Sequence, residues 1–147
     1  MLKATIQSDM KAAMKGGEKR RLGVVRLLMA AIKQREVDER IELDDQQILV
    51  VLDKMVKQRR DSISQFEQAG RDDLAEQEAY EIEVLKAYMP EALSEEDITS
   101  MISEVISSTG AESMRDMGKV MGQLKPKMQG RADMGAVSAQ IKQQLSS

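Results

Sequence analysis

The chain has 147 residues, of which 41% are hydrophobic and 32% charged, and its formal net charge is −3. This composition is typical of a folded protein with one domain or two small ones, and it is too apolar for a disordered polypeptide. The chain contains no cysteine and no histidine, which excludes disulfides, thiol nucleophiles, Ser-His triads and the usual zinc ligands. We therefore expect neither a metal nor a cofactor.

The residue types favour helices over strands. The chain has only three aromatic residues, two prolines and nine glycines, but twelve methionines. Its core must therefore consist of aliphatic and methionine side chains, which suit helices, whereas a protein rich in β-hairpins needs more turn residues. The sequence predicts an all-α fold.

The first two predicted helices lie in the N-terminal 40 residues. The first covers residues 2–15, and Gly16 and Gly17 end it because glycine readily takes a left-handed conformation. Its buried face is predicted from apolar residues at steps of four: Leu2, Ile6, Met10 and Met14. The second helix has its own apolar face: Leu22, Val25, Met29 and Ile32.

The third and fourth helices have clear end signals. Asp44 is the predicted N-cap of the third helix, and Gln47 three residues later completes a capping box. This helix ends at Gly70. The fourth helix extends through Met89 and ends before Pro90, because a residue that precedes proline disfavours the helical conformation.

Two charged residues fall on the apolar lines of these helices. Arg59 lies on the stripe of the third helix and Glu78 on that of the fourth. We interpret them as an internal ion pair that fixes the register of the two helices. The other interpretation, a buried acid with a shifted pKa in a catalytic site, has no second group to complete a catalytic constellation.

Three further helices are predicted in the rest of the chain. Ser94 begins the fifth, and Ser113 is the predicted start of a sixth helix that Pro126 breaks. Asp133 is the predicted cap of the seventh. We therefore predict a four-helix unit over residues 1–89, followed by a three-helix unit over residues 94–147.

Neither a membrane span nor a signal peptide is predicted. The longest apolar run, residues 27–32, is far shorter than the roughly 20 residues that a span requires. The first residues lack the apolar block of a secretory signal. On this basis we expect a cytoplasmic protein that does not bind membranes.

The charges are unevenly distributed along the chain. Residues 11–35 contain eight basic residues and one acid, whereas residues 36–53 contain seven acids and one base. A cluster in the basic block could contact phosphates, and we call it the N-terminal patch: Lys19, Arg20, Arg21 and Arg26. The alternative is an ordinary solvated surface whose cations pair with neighbouring acids.

A second candidate surface lies near the C-terminus. Gly118 and Gly122 are four residues apart, and basic residues surround them. A phosphate backbone could approach such a helix closely, although tight packing against another helix would also explain the glycines. We call the candidate residues the tail strip: Gly118, Lys119, Gly122, Lys125, Lys127, Gly130 and Arg131.

Several stretches of the chain resemble the GatB/YqeY family, and specifically its free-standing YqeY-like members. They are residues 26–33, 60–66, 69–74, 88–90, 118–122 and 130–133. Met134 departs from the pattern, since the family often carries a further small residue there. The last two stretches resemble the tail domain of the B subunit of the tRNA-dependent amidotransferase. The resemblance implies an all-helical fold in two parts.

The same resemblance implies a connection with tRNA without implying catalysis by this chain. A carbon–nitrogen ligase activity with glutamine as amide donor would be inherited from the family and need other subunits. We therefore predict a non-catalytic module that binds tRNA or associates with an amidotransferase or aminoacyl-tRNA complex. The alternative is a protein-interaction adaptor in translation that does not itself bind RNA.

Overall fold

A computed structural model of the chain describes residues 1–146, which form seven α-helices and no strand. The first four are α1 (Leu2–Lys15), α2 (Lys19–Glu39), α3 (Asp45–Gln68) and α4 (Asp72–Lys86). The last three are α5 (Glu95–Thr109), α6 (Met117–Met128) and α7 (Met134–Ser146), with a 3-10 turn over Met114–Asp116. The predicted all-α fold of four helices followed by three is confirmed. None of the helices in this part of the chain is both long and apolar enough to span a membrane.

The chain divides into two compact units, of which the first ends at Met89 and the second begins at Pro90. In the first unit, α3 packs along α4 and α1 packs along α2. Each of these four helices contributes a side chain that is fully buried in one aliphatic core: Ile6, Leu28, Leu52 and Leu85.

The second unit has a separate core. α6 lies between its two neighbours in sequence and packs against both α5 and α7. The fully buried side chains of this core come from all three helices: Ile102, Leu124, Met128 and Ile141. One side of α6 is therefore fixed in the core, which leaves its opposite side facing solvent.

The predicted N-caps are present. The Asp44 carboxylate accepts a hydrogen bond from the Gln47 backbone N–H at 2.8 Å, and the Gln47 side chain accepts one from the Asp44 N–H at 2.9 Å. The Ser94 hydroxyl accepts a hydrogen bond from the Asp97 N–H at 3.1 Å. The Asp133 carboxylate accepts one from the second residue of α7 at 3.0 Å. Each bond satisfies an N–H group that has no partner within its own helix.

The sixth helix differs from the prediction at both ends. Ser113 caps the helical segment, as predicted, through a capping box with Asp116, but the first turn, Met114–Asp116, is a 3-10 turn and the α-helical part begins at Met117. Pro126 does not break the helix, which continues to Met128. Only two residues follow the proline, and burial of the Met128 side chain favours completing the last turn.

Two details of the first unit, the exposure of Met14 and the end of the fourth helix, also correct the predictions. Met14 is 53% exposed, and Ala13 is buried in its place. A step of four residues advances about 40° beyond one full helical turn, so the predicted line drifts away from the core. The end of α1 at the two glycines is confirmed, with Gly17 in the left-handed conformation at φ 70° and Gly16 in a right-handed one. The fourth helix ends at Lys86 and not at Met89.

Candidate nucleic-acid interface

The structure divides the tail strip into an exposed part and a buried part. Five of its residues are exposed on α6, and we call them the exposed strip: Gly118, Lys119, Gly122, Lys125 and Lys127. Gly118, Gly122 and Lys125 lie along one line of the helix with Lys119 on its flank, whereas Lys127 lies about half a turn away from the glycines. The core of α6 lies on the other side of the helix, at Val120, Leu124 and Met128. The exposed strip is therefore accessible along the full length of α6.

Open space surrounds both glycines of the exposed strip. A Cβ atom built on Gly118 or Gly122 would meet no heavy atom within 4 Å. Neither residue has a positive φ. Glycine inside a helix destabilises it by roughly 0.5–1 kcal/mol relative to alanine. Packing against the rest of the chain does not explain these glycines, which contradicts the tight-packing alternative.

The lysines of the exposed strip are largely available for an external anion. Lys119 interacts electrostatically with Asp116, and the pKa of that carboxyl is lowered chiefly by hydrogen bonds from the Glu112 and Ser113 backbone N–H groups. Within residues 1–146, the Lys125 and Lys127 side chains have no hydrogen-bond or ion-pair partner. The Lys125 ammonium group and the open backbone beside it can hold a phosphate chain.

Gly130 and Arg131 are not on this exposed surface. Gly130 is buried and has a φ of 78°, so the turn after α6 requires glycine at this position. Arg131 is half-buried, and its Nε donates to the Glu91 carbonyl at 3.0 Å. Its own carbonyl accepts the Leu93 N–H at 2.9 Å. Both residues hold the start of the second unit against the α6–α7 turn.

Two members of the N-terminal patch are already paired within the chain. Arg20 Nη2 donates to both carboxylate oxygens of Glu76 at 2.9 Å, and its guanidinium lies 4.0 Å from the centre of the Tyr80 ring. Arg21 Nη2 lies 3.9 Å from the Asp9 carboxylate. In the described part of the chain, Lys19 and Arg26 have no such partner and are exposed. The patch therefore retains only two free cations.

A tyrosine completes the pairing around Arg21. The Tyr88 hydroxyl donates to Asp9 Oδ2 at 2.7 Å. Desolvation by burial and this hydrogen bond raise the pKa of Tyr88 to about 12. This network joins α1, α2 and the chain that follows α4, so we assign it a structural role.

The predicted contact between Arg59 and Glu78 is present but loose. Arg59 Nε lies 4.0 Å from Glu78 Oε2, and Arg59 Nη2 lies 3.6 Å from Glu81 Oε1. Glu81 was not among the predicted partners of Arg59, although its position three residues after Glu78 places it on the same side of α4. Burial, followed by repulsion from Glu81, raises the pKa of Glu78.

The acidic side chains do not assemble a metal site in the described residues. No group of three or more Asp or Glu side chains is arranged to hold a metal ion there. The exposed strip of α6 combines lysines with two glycines that leave the helix backbone accessible. Such a surface can bind a polyanion by charge and shape.

Comparisons with known proteins match nearly the whole chain. A family model described as Yqey-like protein matches residues 3–145. Several curated relatives have the same name, Altered inheritance of mitochondria protein 41, mitochondrial. The one from Lachancea thermotolerans is 28% identical, over 97% of this chain and 80% of its own length. The one from Clavispora lusitaniae is 30% identical, over 99% of this chain and 86% of its own length. The one from Eremothecium gossypii is 38% identical, over 63% of this chain and 53% of its own length.

The comparisons contradict the predicted cytoplasmic location. The names of these relatives place them in mitochondria, so the prediction is wrong. It depended on the lack of an apolar signal block, but mitochondrial transit peptides are amphipathic and rich in arginine. The lack of an apolar block therefore does not distinguish the cytoplasm from a mitochondrion. The similarity to the amidotransferase tail domain stays a prediction.

Proposed function

The chain belongs to the YqeY-like protein family, and from this premise we propose that it is a non-catalytic helical module that binds tRNA. The RNA backbone lies along α6 and contacts the exposed strip. Lysine ammonium groups hold the phosphates, and the two glycines let the strand come close to the helix. Recognition depends on charge and shape, because the three aromatic residues of the chain leave little scope for stacking bases.

The main observation in support of this proposal is that the two glycines of α6 face open space. Gly118 and Gly122 each weaken the helix, and neither meets another part of the chain. An external ligand that needs close approach gives them a function. Lys125 lies along the same line as the glycines and Lys119 on its flank, and both favour a ligand with negative charge.

The resemblance to the amidotransferase B-subunit tail supports tRNA as the polyanion. In this proposal the module holds tRNA, and any amide transfer takes place on another polypeptide. We expect the purified chain to show no glutaminase, kinase or amide-transfer activity. Ammonia release from glutamine that a point mutation in this chain abolishes would contradict this expectation.

Filter binding of tRNA to purified variants tests the proposed surface. Lys119→Ala/Lys125→Ala should weaken binding and reduce the slope of log K against log salt by roughly 0.7–0.9 for each lost contact. Two lysine contacts in the unmodified chain predict an affinity loss of roughly 7- to 12-fold between 50 and 200 mM salt.

Two further variants separate charge from shape. Gly122→Gln keeps every charge and favours the helix, so a loss of tRNA binding in this variant would reflect a blocked approach. Lys19→Ala/Arg26→Ala removes the two free cations of the N-terminal patch and should leave the affinity nearly unchanged. If only this last variant loses affinity while all variants keep their helicity, α6 is not the RNA surface.

A further inference from the structure

The exposed side of α2 carries a regular line of cations and small residues. The line follows steps of four and three residues along the helix, so its members share one face: Lys19, Gly23, Arg26, Ala30 and Lys33. All five residues are exposed, and the line is about 21 Å long at 1.5 Å per residue. We call this surface the α2 outer face.

The cations of the α2 outer face are unpaired in a helix that pairs its other cations. Arg20 binds Glu76, Arg21 lies beside Asp9, and Arg35 binds Glu39. By contrast, Lys19, Arg26 and Lys33 form no ion pair or side-chain hydrogen bond in the described part of the chain. The sequence from Lys19 to Arg35 also contains no acidic residue. The α2 outer face therefore has an unbalanced positive charge.

The same side of α2 exposes apolar surface and an unexplained glycine. Leu27 is 48% exposed and Val37 is 64% exposed. Gly23 lies inside the helix without a positive φ, and a Cβ atom there would meet nothing within 4 Å. Glycine at this position weakens the helix without serving a contact in the chain. A partner that approaches the backbone closely would explain it.

We propose that the α2 outer face binds an acidic amphipathic α-helix of a partner protein. Glutamates of the partner pair with Lys19, Arg26 and Lys33, and its small or apolar residues pack over Gly23 and Ala30. Leu27 and Val37 lose their exposed apolar surface in the same contact. These two apolar side chains favour a protein over an RNA backbone, which would leave them against charged phosphates.

This proposal goes beyond RNA binding and concerns the other unit of the chain. The exposed strip lies in the second unit, whereas the α2 outer face lies in the first. The chain would then connect an RNA to a protein. Because the two surfaces have no residue in common, each can be tested with the other intact.

Fluorescence anisotropy with a designed peptide tests the proposal on the full chain. The probe is a labelled 21-residue helical peptide with alanine and leucine along one face and glutamate on both sides of it. A matched peptide has lysine in place of every glutamate. We expect the acidic peptide to bind, and the lysine peptide to bind at least about tenfold more weakly because its charges repel those of the α2 outer face.

Two variants and one control locate the binding. Lys19→Glu/Arg26→Glu/Lys33→Glu should weaken binding of the acidic peptide at least about tenfold. Gly23→Gln should also weaken it, while raising thermal stability because glutamine favours the helix. Lys54→Glu/Lys57→Glu/Arg60→Glu makes the same charge change at exposed positions of α3 and should have a much smaller effect.

The outcomes separate this proposal from its competitors. Failure of the acidic peptide to bind, or equal losses in the α2 and α3 triple variants, would overturn it. A loss of tRNA binding in the α2 triple variant with peptide binding unchanged would make the surface an RNA site instead. A dimer in solution that this variant converts to monomer would identify a second copy of the chain as the occupant. If the α2 triple variant keeps tRNA binding but loses peptide binding, the proposal is supported. This outcome does not depend on whether α6 is the RNA surface.

Discussion

Arg59 is a largely buried charge whose hydrogen-bond donors are only partly paired. Arg59 is only 14% exposed in its side chain, yet its nearest carboxylate oxygens lie at 3.6 and 4.0 Å. Its Nη1 donates to the Met55 carbonyl at 3.2 Å, while Nε is buried without a hydrogen-bond partner in the described residues. Two acids share one guanidinium, and the less favourably placed acid is Glu78.

The raised pKa of Glu78 predicts a pH-dependent stability effect. The folded state favours the protonated carboxyl, so its stabilising contribution is present below the unfolded pKa and is lost as the pH rises through the folded pKa. Glu78→Gln should therefore increase the melting temperature at pH 7 and leave it nearly unchanged at pH 4. Calorimetry at the two pH values measures this difference.

Glu81→Gln is the matched control for that experiment. Glu81 lies closer to Arg59 than Glu78 does, so its removal should not stabilise the protein at pH 7. An equal gain in both variants would show that the two acids simply repel each other. No gain in Glu78→Gln would contradict the assigned cause of the pKa shift.

Two glycines of the second unit, Gly122 and Gly130, should have opposite effects on stability when each is replaced by alanine. Gly122→Ala should stabilise the protein by roughly 0.5–1 kcal/mol, because the helix gains propensity and the new Cβ meets open space. Gly130→Ala should destabilise it by roughly 1–2 kcal/mol, because a φ of 78° is strained for alanine. Urea unfolding of both variants measures the free energies, and effects of the same sign would contradict this distinction.

At the scale of whole helices, the sequence predicted those features that depend on neighbours in the chain. Asp44, Ser94 and Asp133 cap α3, α5 and α7, as their residue types and spacing indicated. One error, at Met14, came from extending a step of four along α1, and another occurred where a contact distant in sequence decides. Burial of Met128 in the core lets α6 continue past Pro126, and propensity alone does not include that contribution.

The capping box of α3 predicts a measurable loss when it is removed. Asp44→Ala should destabilise the first unit by roughly 0.5–2 kcal/mol, because the Gln47 N–H loses its acceptor. Asp44→Ser keeps an oxygen at this position and should retain most of the stability. Chemical unfolding followed by circular dichroism compares the two variants. Equal losses would show that the carboxylate charge matters more than the hydrogen bond.

For the whole molecule, the two-part fold was easier to predict than the site. Pro90 and the cap at Ser94 indicated where one group of helices ends and the next begins. By contrast, the sequence did not indicate which glycines and basic residues would be exposed. Gly130 and Arg131 are a glycine and a basic residue, like the members of the exposed strip, but the turn after α6 buries Gly130 and Arg131 is paired with Glu91. The partners of Arg20 and Arg21 lie in other helices, so sequence position did not reveal that these cations are neutralised.

The boundary between the two units predicts where a protease cuts first. Glu91 and Ala92 are exposed and lie outside the helices, so glutamyl endopeptidase should cleave after Glu91. Three other exposed glutamates outside the helices, Glu18, Glu42 and Glu112, lie in more tightly bonded segments. The Glu18 and Glu112 N–H groups donate to Ala13 and Asp116 at 3.0 Å, and the N–H of buried Leu43 donates to Glu36 at 2.9 Å. Mass spectrometry of early time points identifies the first fragments.

Arg131 should control the rate of that first cut. Its Nε holds the Glu91 carbonyl at 3.0 Å, and loss of one such hydrogen bond makes local opening roughly 2- to 12-fold more frequent. Arg131→Ala should therefore accelerate cleavage after Glu91 by about that factor, while Lys125→Ala, an exposed change in α6, should not. First cleavage within α3 would contradict the division at Pro90. If the cleavage rate is unchanged in Arg131→Ala, the hydrogen bond between Arg131 and Glu91 does not protect the bond after Glu91 from the protease.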